Sequence, residues 1–244
     1  SHLLEMQVPA SAGEMKKLYD ENPKCNYFLF AEERAFDIVM DDQPPKRWLE
    51  RDKSARMLLD ASCAPGEFFT FQIGVYSPYQ ELKDLNVSFG DFNNENGKKI
   101  KSEDIECFNL GGVDTQGEMF SKRVDVSQNK VQPLWVGVRI PADAEGRYKG
   151  QIKVKPKNAT AQKVTVYLNV QGAAVVNQGD DEGWRKGRLR WLNSTIGVGE
   201  QPTAPYTAVR YENNRLDYLG GQIELGKDGL PEKISTCYDE SNLL

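Results

Sequence analysis

The chain has 244 residues, 39% hydrophobic and 27% charged, with a net charge of −5 at pH 7. This is a globular composition, long for one ordinary domain and comfortable for one and a half or two. The acidic balance argues against nucleic-acid binding, which calls for a basic face, and no apolar run approaches the roughly 20 residues of a membrane helix.

Residues 11–23, SAGEMKKLYDENP, predict a helix. Ser11 caps it, Glu14 sits three residues on, and Pro23 follows its end. Met15, Leu18 and Tyr19 form one apolar stripe, so this short helix covers a core. The aromatic run YFLFAEERAFDIVM and a loop at Pro44-Pro45 come next. From Cys63 onward the pattern is β. In 66–78, Phe69, Phe71, Ile73 and Val75 alternate with Phe68, Thr70, Gln72 and Gly74, the period of a half-buried strand. Leu85, Val87 and Phe89 alternate in 82–92, and DIECFNLGG and FSKRVDVSQNK are shorter candidates. The clearest block is 131–172. Leu134, Val136, Val138 and Ile140 alternate, as do Val164, Val166, Leu168 and Val170, with Tyr148, Ile152 and Val154 facing inward between them. Such strands, separated by turn segments, predict an antiparallel β-sandwich over 25–172, preceded by an N-terminal helical segment, 1–24. Residues 173–204 read as a linker and interdomain segment. Hairpin chemistry resumes in 205–239, with turns at Asn213-Asn214 and Lys227-Asp228-Gly229. Three or four strands are marginal alone. The expected fold is therefore all-β, a sandwich followed by a smaller, partial β domain over 205–244 that is truncated or packs on the first.

The search for chemistry is mostly negative. The single histidine is His2, so the body of the chain lacks the residue that a Ser-His-Asp triad, a Cys-His dyad or a His-based metal site needs. Ser1 and His2 read as a cloning remnant, and no signal-peptide pattern follows them. Cys25, Cys63, Cys107 and Cys237 form no CxxC pair and read as buried or free thiols, with one disulfide open to an exported protein. Phosphate-binding glycine motifs and GxSxG are absent. No catalytic, metal or cofactor residue is assigned. The acidic groups Asp41-Asp42, Glu103-Asp104 and Asp180-Asp181-Glu182 have the character of solvated loops.

Aromatic residues carry the remaining signal. Trp48, in a loop after Pro44-Pro45, and Trp135, opposite in parity to Leu134 and Val136, are carbohydrate-platform candidates and equally packing candidates. In the region of RLRWLNSTIG (188–197), Trp184, Arg188, Arg190 and Trp191 read as interdomain anchors, with Leu189 and Ile196 docking the same linker beside Trp191. The arginines then snorkel or pair with carboxylates. On this reading Trp191 is mostly buried between two β units. An exposed Trp191 beside an open groove makes the stretch a binding candidate instead.

Taken in order, GEFFTFQIGVYSP, CFNLGG, VQPLWVGVRIPADAEGRYKGQIKVKPKNA, RLRWLNSTIG, APYT and LGKDGLP resemble multidomain glycoside-hydrolase-like proteins of gut Bacteroidetes, related to glycoside hydrolase family 123. The likeness runs from VPASAGEM to residue 239. It implies an N-terminal, non-catalytic β-sandwich region, exported to the periplasm or cell surface, that supports a catalytic barrel downstream in the same polypeptide. Enzymes of that family are β-N-acetylgalactosaminidases that use the substrate's acetamido group with an Asp-Glu pair in the barrel. No such pair matches here, so no catalytic residue carries over. A barrel takes about 250 residues of alternating strand and helix, which the β pattern after residue 25 does not supply. The alternatives are an autonomous carbohydrate-binding module and a cell-surface adhesion sandwich, whose partner is a protein.

Overall fold

The computed structural model describes residues 2–199, 201–202 and 206–236, with side chains from residue 5 onward. In chain order it forms α1 (His2–Gln7), α2 (Ala12–Asp20), β1 (Phe28–Glu33), α3 (Lys46–Glu50), α4 (Lys53–Arg56), β2 (Leu58–Cys63) and β3 (Phe68–Tyr76). Short strands follow: β4 (Asn86–Phe89), β5 (Phe92–Asn94), β6 (Lys99–Ile100), β7 (Ile105–Cys107), β8 (Gly111–Val113) and β9 (Met119–Ser121). The long strands are β10 (Val131–Arg139), β11 (Gly146–Lys155) and β12 (Gln162–Val170). A strap of 3-10 turns covers 176–193, and β13 (Arg210–Glu212), β14 (Arg215–Tyr218), β15 (Gly221–Leu225) and β16 (Pro231–Thr236) complete the described chain. The chain divides into two compact units, Ser1–Val113 with Met119–Asn193 and Asp114–Glu118 with Ser194–Leu244.

The first unit is a β-sandwich. One sheet has the order β1-β3-β10-β7, and the other runs β2-β12-β11-β5-β6 with β4 also on β11. The alternation in 131–172 is realised as expected: Leu134, Val136 and Val138 meet Ile152, Val154, Val164, Val166 and Leu168 in one buried core. Two features depart from the expectation. β2 begins before Cys63 and runs parallel to β12, pairing Leu58 with Thr165 through Cys63 with Val170. And β3, expected to be half-buried, is buried at all nine positions.

Burial of β3 on both faces has a visible cause. Its outer face holds Phe68, Thr70, Gln72, Gly74 and Tyr76, and a second core is built on that side from Met15, Leu18, Phe28, Phe30, Trp48 and Tyr76. The helix α2 brings Met15 and Leu18 to it, with the Ser11–Glu14 capping box formed as the sequence predicts. α3 brings Trp48, which is fully buried. Its ring stacks on Phe30 with centroids 4.5 Å apart. It fits because β3 places Gly74 beneath it: a Cβ there stands 2.2 Å from Trp48 Cη2. Trp48 is therefore a packing residue and not a surface carbohydrate platform.

The second unit is an antiparallel meander in the order β13-β14-β15-β16. Asn213 and Asn214 adopt φ of 50° and 61°, the left-handed pair that a tight hairpin needs. Gly229 has φ of 78° at the predicted DG turn. The register aligns Tyr211 with Leu216, Leu216 with Ile223 and Ile223 with Ile234, so these four side chains share one face. The opposite face carries Arg215, Asp217, Glu224 and Lys233. Cys237, Pro205 and the end of the predicted segment lie outside the described residues.

Candidate functional site

The candidate site lies on the outer face of the β1-β3-β10-β7 sheet, in the first unit. Helices α2 and α3 cover part of this face, and the strap crosses another part. Between them the cross-strand pair Trp135 and Gln72 remains, held in register by β10 and β3. Gln72 is buried and fully used. Its Oε1 accepts from Ile38 N at 2.9 Å, and its Nε2 donates to the carbonyls of Glu33 and Phe36 at 3.2 and 2.9 Å. These bonds fix loop 33–38 and bring Asp37 and Ile38 to the edge of a groove of about 590 Å³.

The strap forms the other wall. Residues Gly187–Asn193 wind as a 3-10 helix, in which positions three apart eclipse. Three faces result. Leu189 and Leu192 line the groove. Arg190 and Asn193 anchor the strap: Arg190 forks onto Asp180, with Nη2 2.6 Å from Oδ2, and Asn193 Nδ2 donates to Glu106. Arg188 and Trp191 form the rim, with the guanidinium carbon 5.3 Å from the indole centroid. Trp191 is 54% exposed. Within the first unit, the anchoring face of this turn is taken by Arg190 and Asn193 rather than by Trp191. Trp184, another expected anchor, is also exposed and donates its indole N–H to Glu182 at 3.0 Å.

Electrostatics at the groove are mixed. Lys186 pairs with Asp37 and stands 5.0 Å from the Trp135 ring centroid. Arg188 donates Nε to the Asp180 carbonyl at 3.0 Å, and its two terminal nitrogens have no hydrogen-bond acceptor among the described residues. Asp180, expected as solvated loop, is half-buried, and the Arg190 guanidinium holds its carboxyl below the usual aspartate range. A carboxyl with a lowered folded pKa contributes stability that is fully present above its unfolded value, about 4. That contribution is lost as pH falls through the folded value. Acidification below pH ~4 is therefore expected to loosen the strap, and Asp180→Asn to remove this part of the pH dependence. Hydrogen exchange of 176–193 across an acid titration checks it; identical profiles for wild type and variant count against the clamp.

The buried carboxylates serve structure. Glu67 is fully buried and accepts from Ala64 N at 2.9 Å and from Arg185 Nη1 at 2.8 Å, and Arg34 pairs with its other oxygen. Glu32 receives the indole N–H of Trp48 at 2.9 Å and pairs with Arg47 and Arg51. Sequence reading missed both, because an isolated glutamate within or just before a strand carries no local signal. Cys25, Cys63 and Cys107 are unpaired thiols. Burial pushes Cys63 up to about 12 and Cys107 up to about 11, away from the thiolate that reacts. No group of three or more metal-ligating side chains occurs among the described residues, and none of their helices is long and apolar enough to cross a membrane.

No protein-family model matches the chain, and no curated protein does. Solved structures with a similar chain include a family 123 glycoside hydrolase from Clostridium perfringens, described for glycolipid glycan hydrolysis. It is 18% identical over 62% of this chain and 28% of that one, with a TM-score of 0.47. The major subunit of Myf fimbriae from Yersinia enterocolitica is 10% identical over 46% of this chain and 94% of that one, with a TM-score of 0.31. Domains 4 and 5 of the S-layer protein SbsC are 19% identical over 47% of this chain and 48% of theirs, with a TM-score of 0.25. The chain thus spans under a third of the length of the glycoside hydrolase.

Proposed function

We propose that this chain is a non-catalytic accessory β region of an exported glycoside hydrolase of gut Bacteroidetes, and that it buttresses a catalytic domain downstream in the same polypeptide. The observation that carries this reading is the apolar face of the meander in the second unit. Tyr211 and Ile234 on that face are each 61% exposed, and neighbouring Val209 is 65% exposed. Leu216 and Ile223 between them are half-buried. A single sheet with one apolar face is stable when another layer covers it, and exposed apolar side chains on such a face mark an interaction surface. The long motifs resembling family-123-related proteins support a catalytic barrel as that layer. The same likeness supports placing the chain in the periplasm or at the cell surface.

Hydrogen exchange tests the proposal on the polypeptide carrying the downstream domain and on this chain alone. Amides of β14 to β16 are expected to exchange more slowly in the longer polypeptide, and equal rates in both overturn the buttress. An aryl N-acetylgalactosaminide tests the other half: cleavage by the isolated chain, abolished by one point mutation, overturns the non-catalytic assignment.

A further inference from the structure

We propose that the groove between Trp135 and the strap binds a sugar residue bearing a carboxylate, such as a hexuronate. The inference does not depend on the accessory reading. Three observations carry it.

The first is the apolar floor. Trp135, Ile38, Leu189 and Leu192 line one concavity of about 590 Å³, within the range of small-molecule sites. It is open and bordered by charge, which suits a ligand with one C–H face and one polar edge better than an acyl chain. The second is Arg188. Its Nε is fixed by the Asp180 carbonyl and its plane lies near the Trp191 ring, while its terminal N–H groups remain unused among the described residues. A guanidinium presented in this way matches a carboxylate through two parallel hydrogen bonds. The third is the opposite lip. Asp37 offers acceptor oxygens and Lys186 a donor, and the two hold each other in place. Ring hydroxyls need both kinds of group within one residue's width. Lys186 keeps this position with φ of 55°, a left-handed conformation uncommon for a lysine. The groove residues carry two positive charges and one negative, so the net field also favours an anion.

The test is titration of the isotopically labelled chain with D-glucuronate, D-glucose and acetate, following the indole N–H signals of its four tryptophans. Glucuronate is expected to shift the Trp135 signal saturably at millimolar concentration, with acetate and glucose far weaker. Arg188→Gln, at an exposed position, is expected to weaken glucuronate about tenfold, the loss of one charge-assisted contact, without changing the melting temperature. Trp135→Tyr keeps a ring in place and is expected to retain part of the affinity. Equal shifts with glucose and no effect of Arg188→Gln overturn the acidic-sugar assignment. Shifts as large with acetate reduce the site to a bare anion contact and overturn it too. The proposal also fails if the Trp135 signal moves with protein concentration alone, since the groove is then an interface between copies.

Discussion

Replacing Glu67 by alanine is expected to cost about 3–5 kcal/mol of stability, the range for breaking a buried ion pair from one side. Glu67 is fully buried, and the side chains of Arg34 and Arg185 are 10% and 13% exposed. Removing the carboxylate leaves the Arg34 guanidinium inside without its ion-pair partner, leaves Arg185 with Glu182 alone at 3.0 Å, and leaves Ala64 N without its acceptor. The effect is also local. Arg185 is the point where the strap enters the sheet: its carbonyl accepts from Thr70 Oγ1 at 3.0 Å and from Arg34 Nη1 at 3.2 Å. Hydrogen exchange is therefore expected to show 176–193 released before the sandwich opens, and urea denaturation to show a lowered midpoint. A variant with the wild-type midpoint removes the latch from the account. Glu67→Gln, which keeps the shape and most hydrogen bonds, is expected to lose less.

Trp48→Ala is expected to cost a similar amount, about 3–5 kcal/mol. The indole is fully buried, stacks on Phe30 and donates its N–H to Glu32. Its loss opens a cavity under α3 and leaves Glu32 with one donor fewer. Gly74→Ala attacks the same contact from below, since its Cβ falls 2.2 Å from the ring. Overpacking of this kind costs about 1–3 kcal/mol. In the double variant the new methyl enters space that the ring has left. The two losses should then combine to less than their sum, as expected of residues in contact. Strict additivity in a double-mutant cycle shows that Trp48 does not rest on Gly74.

The candidate groove follows from the same two covers. α3 with Trp48 closes one part of the outer sheet face, the latched strap closes another, and Trp135 lies between. Destabilising the strap through Glu67 should weaken any ligand of the groove as well, because Arg188, Leu189 and Leu192 are all strap residues. A fold-neutral change at Arg188 separates recognition from support.

The alternation of β-branched and aromatic residues in 131–172 determined three long strands and which side of each is buried, because a period of two assigns every other side chain to one face. Ser11 and Glu14 determined the start of α2, and Asn213-Asn214 and Asp228-Gly229 determined two turns, because capping and left-handed backbone are properties of short segments. The stretch at 188–193 held a signal that went unread: Arg188 and Trp191, Leu189 and Leu192, and Arg190 and Asn193 are paired at a spacing of three. What lies across the sheet from β3 was not legible. The same alternating pattern serves a half-buried strand and a fully buried one, and only residues distant in the chain decide between them. Trp48, 26 positions before Gly74, makes the outer face a second core, and Arg185, 118 positions after Glu67, ties the strap down. Burial, buried ion pairs and the groove are products of such long-range contacts, so tertiary structure alone decided which tryptophans pack and which face solvent.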